Sequence, residues 1–445
     1  ANEQGPAAAV LRGDTDGPVS LCDRRADAAR HGAGQRHASS HARSFQVPQA
    51  VVFNGRFLAQ VHTGVQRYAA ETLKALDGLL QEQPACRAAL RCRLAVPPDA
   101  AELPLQHIPR VVVRGGRGHA WEQAALAWHA RSDYLVNFNY SAPLLKRRQL
   151  VTVHDATVRA MPQAFTAAYR AVHNTLVGVL GRTVADLMTV SDFSRRELAE
   201  HFGLKRQDIL VGHEGGEHAV AAADDAAVLA RHGLASGGFI LGVGSVKPNK
   251  NFALLGQAMQ HLPDYPLPVA VAGARDIGIF QGAPVSSERF RFLGFVPDDE
   301  LAALYRHAAW FVFPSWYEGF GLPAVEAMAN GCPVLAARAA SIPEVCGDAA
   351  LYFDPHRPQE LAALLQRVLR EPALRPALQA AGRRRLVHHT WRANARVLLN
   401  RLLQRVAPGV PPLQVQVHQA AAASPVLSSP LPSAAVIPAT RERTA

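Results

Sequence analysis

Lysine, cysteine and long apolar runs are what this 445-residue chain has least of. Five lysines stand against 42 arginines, so the two that share one loop, Lys247 and Lys250, mark a place where an ammonium rather than a guanidinium is wanted. The five cysteines (Cys22, Cys86, Cys92, Cys332, Cys346) include no C-x-x-C pair. Cys332 and Cys346 fall in or beside apolar segments and read as buried thiols in a reducing compartment. No uninterrupted apolar run approaches the length of a membrane span, and the first residues lack the charged-then-apolar pattern of a signal peptide. No His, Cys or Asp cluster has convincing metal-ligand spacing, so no metal is expected. The basic stretches carry no interleaved aromatics, which argues against a nucleic-acid partner. With 49% hydrophobic and 19% charged residues the composition is that of a soluble globular protein, and the length favours two domains.

Net charge is +11, and arginine supplies most of it. Eight arginines and no acid lie between Arg375 and Arg405 on a mostly helical pattern. This is a candidate face for anionic membrane lipid; the alternative is a solvated helix face. Residues 1–46, rich in Ala, Gly, Arg, Asp and His without apolar period, read as a disordered extension, and 408–445 as a disordered tail. Between them, apolar runs at Ala50–Phe53, Leu94–Val96, Val111–Val113, Tyr134–Val136 and Leu150–Val153 alternate with helical or polar pieces. That alternation predicts an α/β chain with parallel sheets covered by helices.

The most informative stretch runs from Phe311 to Leu335. It reads as a strand (Phe311–Phe313), a glycine turn, a helix starting near Pro323 and stopped by Gly331, and a second strand (Pro333–Leu335). The turn puts Gly319, Phe320, Gly321 and Leu322 at a helix N-terminus, where free N–H groups and the helix dipole attract an anion. Two carboxylates flank them, Glu318 and Glu326. A carboxylate accepts two hydroxyl protons at once, so one acid can grip a sugar diol and the other a ribose diol while the amides face phosphate. That combination describes a nucleotide sugar. A second strand–turn–helix contributes Gly244, Lys247 and Lys250, whose flexible ammonium suits a departing phosphate. Gly64 stands at the entrance of a helix expected over Ala69–Leu80, where a Cβ would obstruct an approaching phosphate or acceptor. His154-Asp155 ends the strand Leu150–Val153, on the edge where parallel sheets place ligands. Ser191 also lies at a strand end, in reach of donor or acceptor, and Ser194 with Glu197 reads as a capping box.

Glu318-x7-Glu326 within G-F-G-L-P and A-M-A-N-G-C-P-V resembles the signature of family-4 glycosyltransferases of the GT-B fold. The strings T-G-V-Q-R-Y from Thr63 and V-S-D-F-S-R-R-E-L from Val190 extend the resemblance over residues 50–406. It implies two Rossmann-like domains facing a cleft: 47–215 on the acceptor side, with a returning helix 388–406, and 216–387 for the nucleotide sugar. By this resemblance His154 sits beside the donor sugar and contributes to transfer, Glu318 holds that sugar, Glu326 holds the ribose and Lys250 the diphosphate. Donor contacts are further expected from Gly64, Ser191, Gly244, Lys247, Gly319, Phe320, Gly321 and Leu322. The sequence departs from the family at Asn249, where many members have Arg, and at Glu214, where Asn is usual; no role is carried onto Glu214. Arg67 is left between balancing diphosphate charge and salt-bridging on the helix surface. Asp298-Asp299 reads as an acidic helix start. The pattern Gly118–Gln123, found in some bacterial members, is either an acceptor contact or simply a packed Trp121, and the packed reading is favoured.

The resemblance further implies transfer with retention and without an essential metal or cofactor. Same-face attack is favoured, since no nucleophile stands near His154. Similarity is greatest to bacterial polysaccharide mannosyltransferases. This implies GDP-mannose as donor, a lipid-linked saccharide as acceptor and peripheral contact with the inner face of the cytoplasmic membrane. The alternatives are a UDP-sugar transferase of the same fold and a non-catalytic scaffold.

Overall fold

The computed structural model describes residues 50–220, 223–280 and 287–414. The expected extension 1–46 and the tail beyond residue 414 lie outside the described residues. The start of that tail is described, and it is tied down: Leu413 exchanges two hydrogen bonds with the Asn400 side chain, at 2.7 and 2.9 Å.

Two parallel sheets form the frame. The first orders its strands β3-β2-β1-β4-β5-β6-β7. These are β1 Ala50–Asn54, β2 Arg91–Val96, β3 Arg110–Val112, β4 Tyr134–Asn137, β5 Gln149–Thr152, β6 Asp186–Thr189 and β7 Ile209–Val211. The second orders its strands β10-β9-β8-β11-β12-β13. These are β8 Ile240–Val243, β9 Val269–Ala272, β10 Phe290–Gly294, β11 Trp310–Phe313, β12 Val334–Ala337 and β13 Ala350–Phe353. The central strands are short apolar runs because both faces of a helix-covered parallel sheet are buried; Val51, Val52 and Phe53 have no exposed surface. Strand order reverses between β1 and β4 in one sheet and between β8 and β11 in the other. Doubly wound sheets hold ligands at the carboxyl ends beside such reversals. This is the α/β, two-domain Rossmann-like architecture that the sequence implied.

Several helices differ from expectation, each for a local reason. The Gly64–Glu82 helix begins five residues before Ala69 because Thr63 and Gln66 form a reciprocal cap, with Thr63 N–H 3.2 Å from the Gln66 side chain. Between β5 and β6 the helical stretch is split into Thr157–Ala160 and Ala167–Thr183 around Pro162, which cannot continue a helix. The cap of the Asp192–Phe202 helix is Ser191, whose hydroxyl accepts from Ser194 N–H at 2.9 Å, and not Ser194 as its spacing to Glu197 suggested. The returning segment is interrupted before Thr390, which caps Trp391–Val406 by accepting from Ala393 N–H at 3.1 Å.

The returning helix locks the frame through Asn394, 1% exposed. Its amide donates to the carbonyls of Gly212 (2.8 Å) and His213 (3.0 Å), and its oxygen accepts from Thr72 (3.3 Å). The arginine run does not form the free cationic face considered from sequence. Arg375 and Arg385 donate to carbonyls, Arg384 pairs with Asp348, Arg392 with Glu82, and Arg401 and Arg405 with Asp186. Six of the eight are thus engaged inside the protein. Cys86, Cys92, Cys332 and Cys346 are buried free thiols, and burial pushes Cys332 and Cys346 up to about 12.

Replacing Asn394 by Ala strands two buried carbonyls and a hydroxyl, which costs about 1–3 kcal/mol. Thermal denaturation of Asn394→Ala should show a midpoint several degrees below the parent; an unchanged midpoint would contradict the locking role.

Candidate functional site

The loops after β8 and β11 meet at the reversal of the second sheet. Lys250 Nζ lies 2.8 Å from Glu318 Oε1, with both side chains mostly buried. The loops are stapled: the Asn249 side chain donates to Tyr317 O (3.0 Å), and Trp316 N–H donates to Asn249 O (3.0 Å). Asn249 therefore replaces the family's usual Arg with a loop clasp. Next to it Asn251 takes the left-handed conformation (φ 52°), held by donating to Pro314 O and Pro355 O. A Cβ on Gly244 would come within 2.9 Å of the Phe252 ring, so this glycine lets the turn close on the helix Phe252–Gln260. Lys247 is exposed at the same turn.

After β11 the chain passes through Glu318 and Gly319 to Gly321 (φ 106°), which precedes the helix Leu322–Ala329. Three carbonyls of this loop are held by hydroxyls. Glu318 O and Phe320 O accept from Ser341 at 2.9 and 2.7 Å, and Gly319 O accepts from Ser191 and Ser194 at 2.5 and 2.9 Å. A trans peptide sets each following N–H opposite to its carbonyl. The amides of Gly319, Phe320 and Gly321 are thus directed away from the serines, and no protein acceptor meets them or Leu322 N–H among the described residues. This is the geometry of an anion cradle at a helix start. The Phe320 side chain is buried against the rings of His213 and His389, and Leu322 is buried as well. Both therefore serve the cradle through their backbones.

Glu326, 7% exposed, is held through both oxygens, by His218 Nε2 (3.0 Å) and the Tyr305 hydroxyl (3.2 Å). Each oxygen keeps a lone pair for a further donor. Burial and the neighbouring Glu326 charge push the Tyr305 phenol well above its ordinary range, so it donates. His218 Nδ1 accepts from Trp391 Nε1 at 3.0 Å, which fixes the proton on Nε2, facing the carboxylate. Neither His218 nor Tyr305 is legible as a partner from sequence, because each lies on a different element.

From the first sheet, His154 faces these loops. Its Nε2 donates to Phe138 O at 3.0 Å, its Nδ1 is 3.7 Å from Glu214 Oε1, and Tyr68 packs edge-on at 4.7 Å. Glu214, to which sequence assigned no role, is 6% exposed beside this histidine; its departure from the usual Asn was the available signal. A Cβ on Gly319 would lie 2.9 Å from His154 O and 3.0 Å from the Asp155 Cβ, so the absence of a side chain lets the two loops touch. Ser191, expected at a ligand, has no exposed surface and spends its hydroxyl on the cap and on Gly319 O. Gly64 opens onto space with no atom near its Cβ position. Arg67 bridges to Asp298 at 2.7 Å, joining the two domains, and Asp298-Asp299 does begin a helix, Asp298–His307.

Glu344 adds a second bridge, accepting from the amides of Asp192 (2.7 Å) and Phe193 (2.8 Å) at the start of a first-domain helix. Burial raises its carboxyl, but His213 and those two amides outweigh burial and hold it below the usual range. Among the described residues no three His, Cys, Asp or Glu gather as metal ligands.

The comparisons with known proteins agree with this geometry. Residues 232–385 match the family described as glycosyl transferases group 1. The chain is 32% identical to O-antigen chain mannosyltransferase B of Escherichia coli over 284 residues, covering 60% of this chain and 73% of that protein. The chain belongs to the glycosyl transferases group 1 family. A shorter match, 46% identical over 102 residues, joins this glycosyltransferase to an MMP alpha-(1->4)-mannosyltransferase of Mycolicibacterium hassiacum; it covers 22% of the chain and 25% of the relative. Among solved structures, sucrose-phosphate synthase from Thermosynechococcus elongatus superposes with a TM-score of 0.62 at 18% identity, over 81% of this chain and all of that one. WaaG, a glycosyltransferase involved in lipopolysaccharide biosynthesis, gives 0.58 at 15% identity, over 79% and 98%. These likenesses establish the GT-B fold.

His389, beside Phe320, gives this region a pH dependence. Burial, then the charges of His213 and Arg385, lower it to about 3 from 6.5. Between those values the unfolded chain binds the proton and the folded one does not, so stability falls as pH drops below about 6.5. His62, His129 and His173 are lowered by burial too and add to the slope. Thermal midpoints from pH 7.5 to 4.5 should fall less steeply for His389→Gln than for the parent; parallel curves would refute the assignment.

Proposed function

We propose that this glycosyltransferase moves mannose from GDP-mannose onto a lipid-linked saccharide in surface-polysaccharide assembly, with retention and without a metal. The observation that carries the nucleotide-sugar reading is the anion cradle of Gly319–Leu322 standing between two held carboxylates. In this reading Glu318 accepts hydroxyls of the donor sugar and Glu326 those of the ribose. Lys250 exchanges part of its pairing with Glu318 for the departing diphosphate, whose charge the loop amides also meet. His154, with its proton on Nε2, lines the sugar beside Gly319. The acceptor hydroxyl then attacks from the face the diphosphate leaves, and the leaving phosphate takes its proton. Mannose is favoured because the relatives of E. coli and M. hassiacum are named mannosyltransferases. No described helix is long and apolar enough to cross a membrane, so contact with a lipid acceptor at the inner face of the cytoplasmic membrane would be peripheral.

The test is ligand-induced thermal stabilisation with GDP-mannose, GDP, UDP-glucose, UDP-galactose and UDP, on the parent and on Glu326→Ala. A ligand at 100 times its dissociation constant stabilises by about 2.7 kcal/mol. A guanine-selective response lost in the variant is the expected result. A uracil-selective response would replace the donor, and silence toward all five would favour the scaffold alternative. Transfer should also persist unchanged in excess EDTA; loss of turnover restored by a divalent cation would end the metal-free reading.

A further inference from the structure

One face of the first sheet packs through Val51, Val136 and Leu150 against the helices Gly64–Glu82 and Trp391–Val406. The opposite face carries Val52, Leu135, Val151 and Leu187, and the pairing of Asn137 with Val151 keeps these four on one side. Over that side lie the successive helical segments Gly118–Ala120, Trp121–Leu126 and Ala127–His129, and the helix Ala167–Thr183. The loop joining β4 to β5 packs into the same layer through Ala142.

Helices that cover a sheet ordinarily turn a polar face to water. Those of this layer do not. Trp121 is packed, as favoured from sequence, with its Nε1 on Val113 O at 2.8 Å, whereas Trp128 further along is 72% exposed. Leu145, in the loop, is 99% exposed. On the helix Ala167–Thr183, Val172 and Val179 stand two turns apart on one side, 60% and 39% exposed. Single exposed apolar residues are ordinary, but four on one layer mark an interaction surface.

The charge of the layer is as one-sided as its apolar content. From Tyr134 to Ala185 the sequence has one acid, Asp155, against Lys146, Arg147, Arg148, Arg159, Arg170 and Arg182. Asp155 accepts from Thr157 N–H at 2.7 Å. Lys146 Nζ donates to Ala130 O at 2.7 Å, which ties the Leu145 loop to the end of the Trp128 segment. There the Arg131 guanidinium lies 4.7 Å from the centre of the Trp128 ring and donates to Trp128 O at 3.1 Å. Asp133, the acid of this corner, pairs with Arg93. Among the described residues Arg131, Lys146 and the exposed Arg147 form no ion pair. Burial lowers the Lys146 ammonium below its ordinary range, and the Arg148 charge adds more to that fall than Asp133 offsets.

We propose that this layer is the surface by which the protein lies on an anionic lipid bilayer. Trp128 and Leu145 enter the headgroup region, and Arg131, Lys146 and Arg147 meet lipid phosphates. A second copy of the chain fits poorly, because a two-fold contact would set these bases against themselves. A nucleic acid would answer the bases but leave Leu145 and the two valines in water. A folded protein partner favours an apolar centre depleted of charge, and here lysine and arginine stand among the apolar side chains. A bilayer interface accepts indole rings, aliphatic side chains and cations together. The helix Ala167–Thr183 also runs back from the carboxyl edge of β5, where His154 stands, to the amino edge of β6, so the layer extends to the rim of the transfer site. The inference deepens the peripheral contact proposed above and rests on that reading for its purpose, while the test separates the two.

The full chain is sedimented with vesicles of phosphatidylcholine alone and of an equimolar mixture with phosphatidylglycerol, and nucleotide binding is followed separately by thermal shift. The variants are Leu145→Asp and Arg147→Glu, both at exposed loop positions. The parent should bind the mixed vesicles in preference to phosphatidylcholine, less so as salt rises. Each variant should bind them about tenfold or more weakly, with its thermal midpoint and nucleotide response kept. No binding of mixed vesicles by the parent, or parental binding in either variant, overturns the surface. Fluorescent polyglutamate bound by the parent and lost in the variants, without vesicle binding, would give the layer to an acidic protein and overturn it too. A parent that binds vesicles but no nucleotide counts against the proposed donor and leaves the surface standing.

Discussion

The clamp on Gly319 O is the contact on which the rest of the site depends. Its two hydroxyls, from Ser191 and Ser194, belong to the first domain, whereas the carbonyl belongs to the second. Peptide planarity converts that grip into an orientation for Phe320 N–H, and Ser341 does the same for the amides of Gly319 and Gly321. Anion binding at this helix start is therefore conditional on the domains being together. Arg67–Asp298 and Glu344 with the amides of Asp192 and Phe193 hold the same juxtaposition from either side. None of these contacts is a large apolar interface. They are polar and replaceable by water, as contacts between domains that move relative to one another are.

Much of the fold was legible because parallel strands buried on both faces announce themselves as short apolar runs, and the glycines and prolines between them mark turns. The loop after β11 was legible for a related reason: Glu318, Gly319–Leu322 and Glu326 sit within nine residues of one another, so the turn and helix start they form could be read locally. What escaped was long-range. Glu344 meets amides some 150 residues away, and His218 and Tyr305 reach Glu326 from separate elements; no local pattern encodes such pairs. Ser191 and Ser194 show the same limit in miniature. The S-x-x-E spacing from Ser194 was a sound local signal, but the strand ended three residues earlier than that cap requires, and Ser191 took the role. The arginine-rich segment misled because a one-dimensional run of like charge says nothing about the acids and carbonyls that tertiary structure brings to it.

The arginines and the two loop lysines divide the work of positive charge in a way that the composition hinted at. Planar guanidinium groups are spent where geometry is fixed: on carbonyls at helix ends, on Asp186 from the returning helix, on Asp298 across the domains and on Glu122 inside the first domain. Lys250 is paired as well, yet among the described residues its ammonium is held by Glu318 alone, itself a candidate for the donor sugar. A point charge on a flexible stem can leave that carboxylate and follow a phosphate at little cost in geometry. A bidentate arginine there would resist the exchange.

The two sheets repeat one strand order, and the repetition has a chemical consequence. Each reversal opens a crevice at its carboxyl edge. In the second sheet the crevice is filled by loops that expose amides and a lysine, a surface for an anion. In the first it is lined by Asn54, Arg56 and Glu122, whose opposite charges meet in a buried ion pair. His154 stands where these two surfaces meet, held by a carbonyl on the wall of one pocket and touching the glycine of the other. Its ring is fixed on three sides, by Phe138, Tyr68 and Glu214. A ring held in place by its protein neighbours presents the same face to whatever enters, with no ordering cost on binding.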